Sequence, residues 1–180
     1  MTNQEIANWI KAWFKEHPKC KDLTEMYEDF NALPYLETYD TTGKLTELIF
    51  GMDPLKYISY IPNGMFCGYS ILDITIPEYI TSIGDAAFYG CGAIRSIVIP
   101  SLVTFIGDGA FSHCTSITDV VIPNSVTLIC ENAFEFCTSL TSIDYVGTKS
   151  QWQNISLSSD WKFKSSIRTI KCSDGIIEIN

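Results

Sequence analysis

The chain repeats itself every 23 residues. Pro77, Pro100 and Pro123 stand at that step, and so do Ala87, Ala110 and Ala133, then Phe88, Phe111 and Phe134, then Cys91, Cys114 and Cys137. The apolar positions keep the same register: Ile74, Ile97, Val120 and Ile143; Ile76, Ile99 and Ile122; Ile83, Ile106 and Ile129; Ile94, Ile117 and Leu140. So many columns at one period define a solenoid, in which a single unit cannot bury its apolar side alone and each coil covers its neighbour.

Within a unit, Ile74, Thr75 and Ile76 alternate as a short strand does, with both isoleucines facing inward. Pro77 ends the strand, because proline lacks the N–H that a continuing ladder needs. The return path from Ser82 to Phe88 reads as a turn leading into one helical or 3₁₀ turn that inserts Phe88 into the core. Ala87 is small enough for that turn to approach the next coil.

The phrase from Ile99 to Ile117, with Ile99-Pro100, Val103-Thr104, Ile106-Gly107-Asp108, Ala110-Phe111, Cys114 and Ile117, resembles the BspA-like leucine-rich repeat. Three full copies run from about Ile71 to Ser142, and a degenerate one precedes them at Tyr60–Tyr69, one residue short of the period. The tail, with Tyr145-Val146-Gly147-Thr148, Gln151-Trp152 and Ile170 to Gly175, is similar to the cap that often closes such arrays. Cys130 departs from the pattern, since the other copies have Gly84 and Gly107 there, and an altered turn is expected. Tyr145 stands where an inward isoleucine is expected. The resemblance implies a repeat solenoid of α+β class: a short leucine-rich-repeat array with a helical N-terminal cap and a β-rich C-terminal cap. The expected boundaries are a cap with an incoming strand at 1–59, the solenoid at 60–145 and the second cap at 146–180.

Open solenoids expose an apolar cross-section at each end. Thr2 and Glu5 form a capping-box pattern that opens a helix with Ile6, Trp9, Ile10, Trp13 and Phe14 on one face, ending at His17-Pro18. A second helix starts near Asp22, presents Leu23, Met26, Tyr27 and Phe30, and stops before Pro34. This aromatic stripe reads either as a cap on the solenoid or as an interface for a partner helix or a homodimer. Tyr39 to Lys44 reads as a turn and Leu45 to Phe50 as a strand entering the array. Lys149 to Leu157 is expected to be a short helix. Ile167 to Cys172 and Ile176 to Ile179 form a hairpin turning at Ser173 to Gly175.

Charge is uneven along the chain. Twelve Lys and Arg against 21 Asp and Glu leave −9, but residues 61–145 hold a single cation, Arg95, against eight carboxylates. That segment repels a phosphate backbone, which excludes ordinary nucleic-acid binding, and it attracts a basic protein. No run of about 18 apolar residues offers a membrane span. Asn3, Gln4 and Glu5 stand where a secretory signal would carry a basic residue and an apolar run, and seven cysteines make no closed set of pairs, so the expectation is a cytoplasmic protein.

Catalytic chemistry finds little support. Cys91, Cys114 and Cys137 share one repeat position and lie about 4.8 Å apart coil to coil, near enough for a disulfide or thiolate metal site; the resemblance instead implies small buried hydrophobes. His113 adjoins Cys114, but neighbours in a turn point apart, so no base is held against a nucleophile. The chain has no Walker A sequence, no G-x-G-x-x-G and no H-E-x-x-H, and we expect no cofactor and no metal. Asp85, Asp108 and Glu131 share a column that reads as turn formers or caps more readily than as a cation site.

The remaining candidate is a surface. Strand residues facing away from the core fall in two rows, Asp73, Ser96, Asp119 and Ser142, then Thr75, Val98, Val121 and Asp144. Val98 and Val121 read either as ordinary strand filler or as the apolar centre of a binding face on which Asp119 and Asp144 select a basic partner. The leading expectation is a non-enzymatic protein-interaction module. The alternative is an inhibitor, encoded by a phage or mobile element, that occupies the basic nucleic-acid channel of a host nuclease or defence protein.

Overall fold

The computed structural model describes residues 35–39, 45–50, 59–61, 63–76 and 78–179. The N-terminal helices expected at 2–34 and the turn at 40–44 lie outside the described residues. In chain order the elements are β1 (Tyr35–Tyr39), β2 (Leu45–Phe50), β3 (Tyr60–Ile61), β4 (Asp73–Thr75), β5 (Ser82–Ile83), β6 (Ser96–Val98), β7 (Phe105–Ile106), β8 (Asp119–Ile122), β9 (Leu128–Ile129), β10 (Ser142–Tyr145), α1 (Lys149–Gln153), β11 (Ser156–Leu157), β12 (Thr169–Cys172) and β13 (Gly175–Glu178).

Each coil carries two short strands rather than one. The alternating strand forms a sheet in the order β13-β12-β10-β8-β6, parallel except for the final antiparallel hairpin of β12 and β13. Beside β6 lies β4, which pairs in parallel with β2, and β2 pairs antiparallel with β1, so Leu45–Phe50 does enter the array as a strand. The return path, expected to be a turn, holds a second parallel sheet in the order β11-β9-β7-β5-β3. Its strands are two residues each, Ser82–Ile83, Phe105–Ile106 and Leu128–Ile129, too short for alternation to be legible. They pair because a buried backbone must find partners, and the identical segment one coil away supplies them.

After this second strand the chain makes a six-residue turn, not a helix, at 85–90, 108–113 and 131–136. Its amides bond to the next coil: Phe88 N–H to Ala110 O, Phe111 N–H to Ala133 O and Phe134 N–H to Trp161 O, each at 2.8 Å. Two left-handed residues per turn make the bend. One column is Gly64, Ala86, Gly109 and Asn132, and the other is Gly68, Gly90, His113, Phe136 and Lys164.

The core is a stack of identical layers. Phe66, Phe88, Phe111 and Phe134 are buried and stack with ring centroids 5.2–5.3 Å apart. Trp161 closes the stack edge-on to Phe134 at 6.1 Å. Coil geometry continues past Tyr145 through Cys172: β11 extends the second sheet, β12 extends the first, and Trp161 takes the place of phenylalanine. The helix expected at 149–157 ends at Gln153, capped by Thr148 and Gln151 in a reciprocal box, and the chain returns to strand at Ser156. Tyr145, buried at the inward isoleucine position, meets Trp152 edge-on at 5.2 Å.

Candidate functional site

The cysteine column faces inward. Each thiol donates to the carbonyl of a phenylalanine one coil back: Cys91 to Phe66 O at 2.9 Å, Cys114 to Phe88 O and Cys137 to Phe111 O at 3.2 Å. Burial pushes the Cys137 thiol up to about 12. Burial, reinforced by Cys91 and Cys137 on either side, raises Cys114 well above the ordinary thiol range. A protonated donor inside the core is neither a nucleophile nor a thiolate ligand at neutral pH. His113 points the other way, its ring between Tyr89 at 5.0 Å and Phe136 at 4.6 Å.

Within the acidic column, Asp85 caps the neighbouring coil rather than its own turn. Asn63 Oδ1 accepts from Asp85 N–H at 2.7 Å, and Asp85 Oδ1 accepts from Asp108 N–H at 2.9 Å. Gly107 is required by this ladder, since a Cβ there would lie 2.5 Å from Asp85 Oδ1 and 2.7 Å from its backbone nitrogen. At the next coil Cys130 replaces the glycine and the strand pairing is kept. Cys130 N–H still reaches Ile106 O at 3.0 Å, as Gly107 N–H reaches Ile83 O at 2.9 Å.

The strand face carries the candidate residues in their rows. Ser96 stands opposite Asp119, and Val121 stands between Val98 and Asp144. Asp73 and Thr75 of β4 pair with β2, and Ser142 pairs with Thr169. Thr75, Ser96, Asp119 and Asp144 are exposed, Val121 and Ser142 half-buried, and Val98 is 59% exposed. Asp144 has a cation beside it, an exposed Lys171 whose Nζ lies 3.1 Å from its Oδ1. Nothing in the repeat signals that pair, since Lys171 comes 27 residues after Asp144 rather than 23.

A second surface escaped the sequence reading. Tyr89, His113 and Phe136 form a ring ladder along the outside of the turns, and Lys164 places its ammonium 5.1 Å from the Phe136 centroid and 5.0 Å from that of Phe163. The signal was the 23-residue column itself, which reads Gly90, His113, Phe136. A non-glycine residue in the left-handed region costs about 1–2 kcal/mol, and a favourable ring pair returns about 0.5–1.5 kcal/mol.

Among the described residues, a cleft of about 170 Å³ lies between Asn124, Thr127, Tyr145, Gln151 and Asn154, below the roughly 300–1,000 Å³ typical of ligand pockets. Among the described residues no helix is long and apolar enough to cross a membrane.

Two stacked parallel sheets, a phenylalanine stack and one turn per coil define a leucine-rich-repeat solenoid, a class that offers extended surfaces to protein partners. Residues 59–180 match the BspA type Leucine rich repeat region in six copies, and the chain belongs to that family. It is similar to the crystal structure of a leucine rich cell surface protein from Faecalibacterium prausnitzii, at 28% identity and a TM-score of 0.53, over 69% of this chain and 41% of that one. The chain thus spans less than half of that relative's length. A T. pallidum leucine rich repeat protein matches at 22% identity and a TM-score of 0.46, over 64% of this chain and 71% of its own. No curated protein matches the chain.

Proposed function

We propose that the chain is a non-enzymatic protein-recognition module whose partner docks on the strand face around Val98 and Val121. The observation that carries this reading is Val98, 59% exposed beside Val121 on a parallel sheet, with Ser96 and Asp119 on the same strands and Asp144 on the next. Interfaces commonly have such an apolar centre within a polar rim. With Asp144 engaged by Lys171, selection of a basic partner falls chiefly to Asp119, with Ser96 opposite it. The expected result is loss of partner recovery from lysate for Val98→Lys with Val121→Lys, and a smaller loss for Asp119→Lys. Undiminished recovery by the double variant would remove this face from consideration.

The charge of residues 61–145 favours a second reading, the inhibitor that fills a basic nucleic-acid channel. On that reading the recovered partner is a nucleic-acid enzyme, and DNA competes with the chain for it. The helices expected at 2–34 belong to the same proposal as a cover for the first coil, with the β12–β13 hairpin covering the last. Removing residues 1–34 should then leave an aggregating chain in light scattering; a concentration-dependent dimer of the full chain that this deletion abolishes would instead make the helices a homodimer interface. We also propose a cytoplasmic site of action, in keeping with the buried thiols of Cys114 and Cys137, which donate to backbone carbonyls. Localisation of a tagged full chain outside the cytoplasm would overturn it.

A further inference from the structure

We infer that the outer ring ladder of Tyr89, His113 and Phe136 is a second docking surface, and that its occupant is an extended, arginine- or lysine-bearing peptide segment of a protein partner. This surface lies on the turns, apart from the strand face, and the inference stands whether or not that face binds.

Three observations converge on it. The first is the choice of residue. The left-handed column begins with Gly68 and Gly90, the residue suited to that backbone, and then turns to His113, Phe136 and Lys164 at φ of 61°, 52° and 52°. Backbone preference argues most against Phe136 and Lys164, which, unlike Ala86 in the other column, bring large side chains to that region. Those side chains are not core. Tyr89 is 39% exposed, Phe163 is 45% exposed, and His113 and Phe136 are half-buried.

The second is charge. The same turns carry Asp108, Glu131 and Glu135, in a segment whose lone cation, Arg95, lies outside them. Exposed rings on turns that also carry carboxylates complement aliphatic side chains that end in a cation. The third is a contact the chain already makes with itself. The Lys164 ammonium rests over Phe136 and Phe163, the geometry that a partner's lysine or arginine would adopt on a ring further along the ladder.

The polar groups beneath the rings set the acceptors. Buried Ser112 donates its hydroxyl to Glu135 Oε2 at 3.0 Å and lies 2.9 Å from His113 Nδ1. In the tautomer that donates Nδ1–H to Ser112, His113 keeps Nε2 as an acceptor, which suits a guanidinium donor.

The test uses fluorescence anisotropy with the full chain and two labelled octapeptides, one alternating arginine and serine, the other glutamate and serine. The arginine peptide should bind, and the glutamate peptide should not. His113→Gly with Phe136→Gly installs the residue that the first two coils already use, so the variant should melt within a few degrees of wild type while affinity falls at least tenfold. Val98→Lys with Val121→Lys should leave peptide affinity within twofold, which separates this surface from the strand face. Equal binding of both peptides, or unchanged affinity in the double glycine variant, would overturn the inference. So would light scattering that shows the wild-type chain self-associating through the ladder without peptide.

Discussion

Two ring ladders run side by side through the same turns and obey different physics. The inner one, Phe66 to Phe134, is fully buried, stacks at 5.2–5.3 Å, and sits where the backbone is relaxed. The outer one, Tyr89 to Phe136, is half-exposed, packs its rings tilted at about 40° with centroids 4.6–5.0 Å apart, and places His113 and Phe136 where glycine is the less costly choice. The inner ladder is explained by stability alone. For the outer ladder the conformational cost and the ring contacts nearly cancel, so its residues are free to be chosen for what they meet outside.

That contrast can be broken in order of effect. Phe111→Ala removes a ring that touches both neighbours and should cost about 3–5 kcal/mol, read from urea unfolding; a loss under 1 kcal/mol would mean that the stack does not hold the coils together. Gly107→Ala pushes a methyl against the Asp85 backbone and should cost about 1–3 kcal/mol, with Asp108→Ala on the exposed side far milder.

The buried thiols give a pH signature on the inner side. Cys137 keeps its proton in the folded chain up to about 12, against 9.0 for an ordinary thiol. The unfolded chain therefore loses that proton first. The contribution is whole below about pH 9 and is lost as pH rises toward 12, at about 1.4 kcal/mol per pH unit. Urea midpoints should fall between pH 8.5 and 10, and Cys137→Ala should flatten the slope; an unchanged slope would contradict the thiol's burial. The smallest effect is expected on the outer side, where Phe136→Gly should shift stability by less than about 1 kcal/mol in either direction. A loss as large as that of Phe111→Ala would make the two ladders equivalent.

Much of this was legible in the sequence. Inward columns, the phenylalanine stack and the two exposed rows follow from a strict 23-residue step. The second sheet was not legible, because two residues cannot display an alternation, and Ser82–Ile83 alone looks like a turn. The coil after Tyr145 was obscured by insertion: α1 lengthens the step from Phe134 to Trp161 to 27 residues, and tryptophan replaces phenylalanine. The Asp144–Lys171 pair was hidden by the same shift in step. The outer ladder is not legible, because its column of Gly90, His113 and Phe136 repeats no residue type and a departure from glycine carries no signal without φ.

The central claim is that this solenoid acts through its exposed rows and not through a pocket. Val98 can be replaced by photo-reactive benzoylphenylalanine, with Asn154 at the cleft replaced in a separate sample, and each irradiated in cell lysate before mass spectrometry. The account predicts a discrete protein adduct at position 98, lost when Val121 is changed to Lys, and none at 154. An adduct confined to position 154 would contradict it.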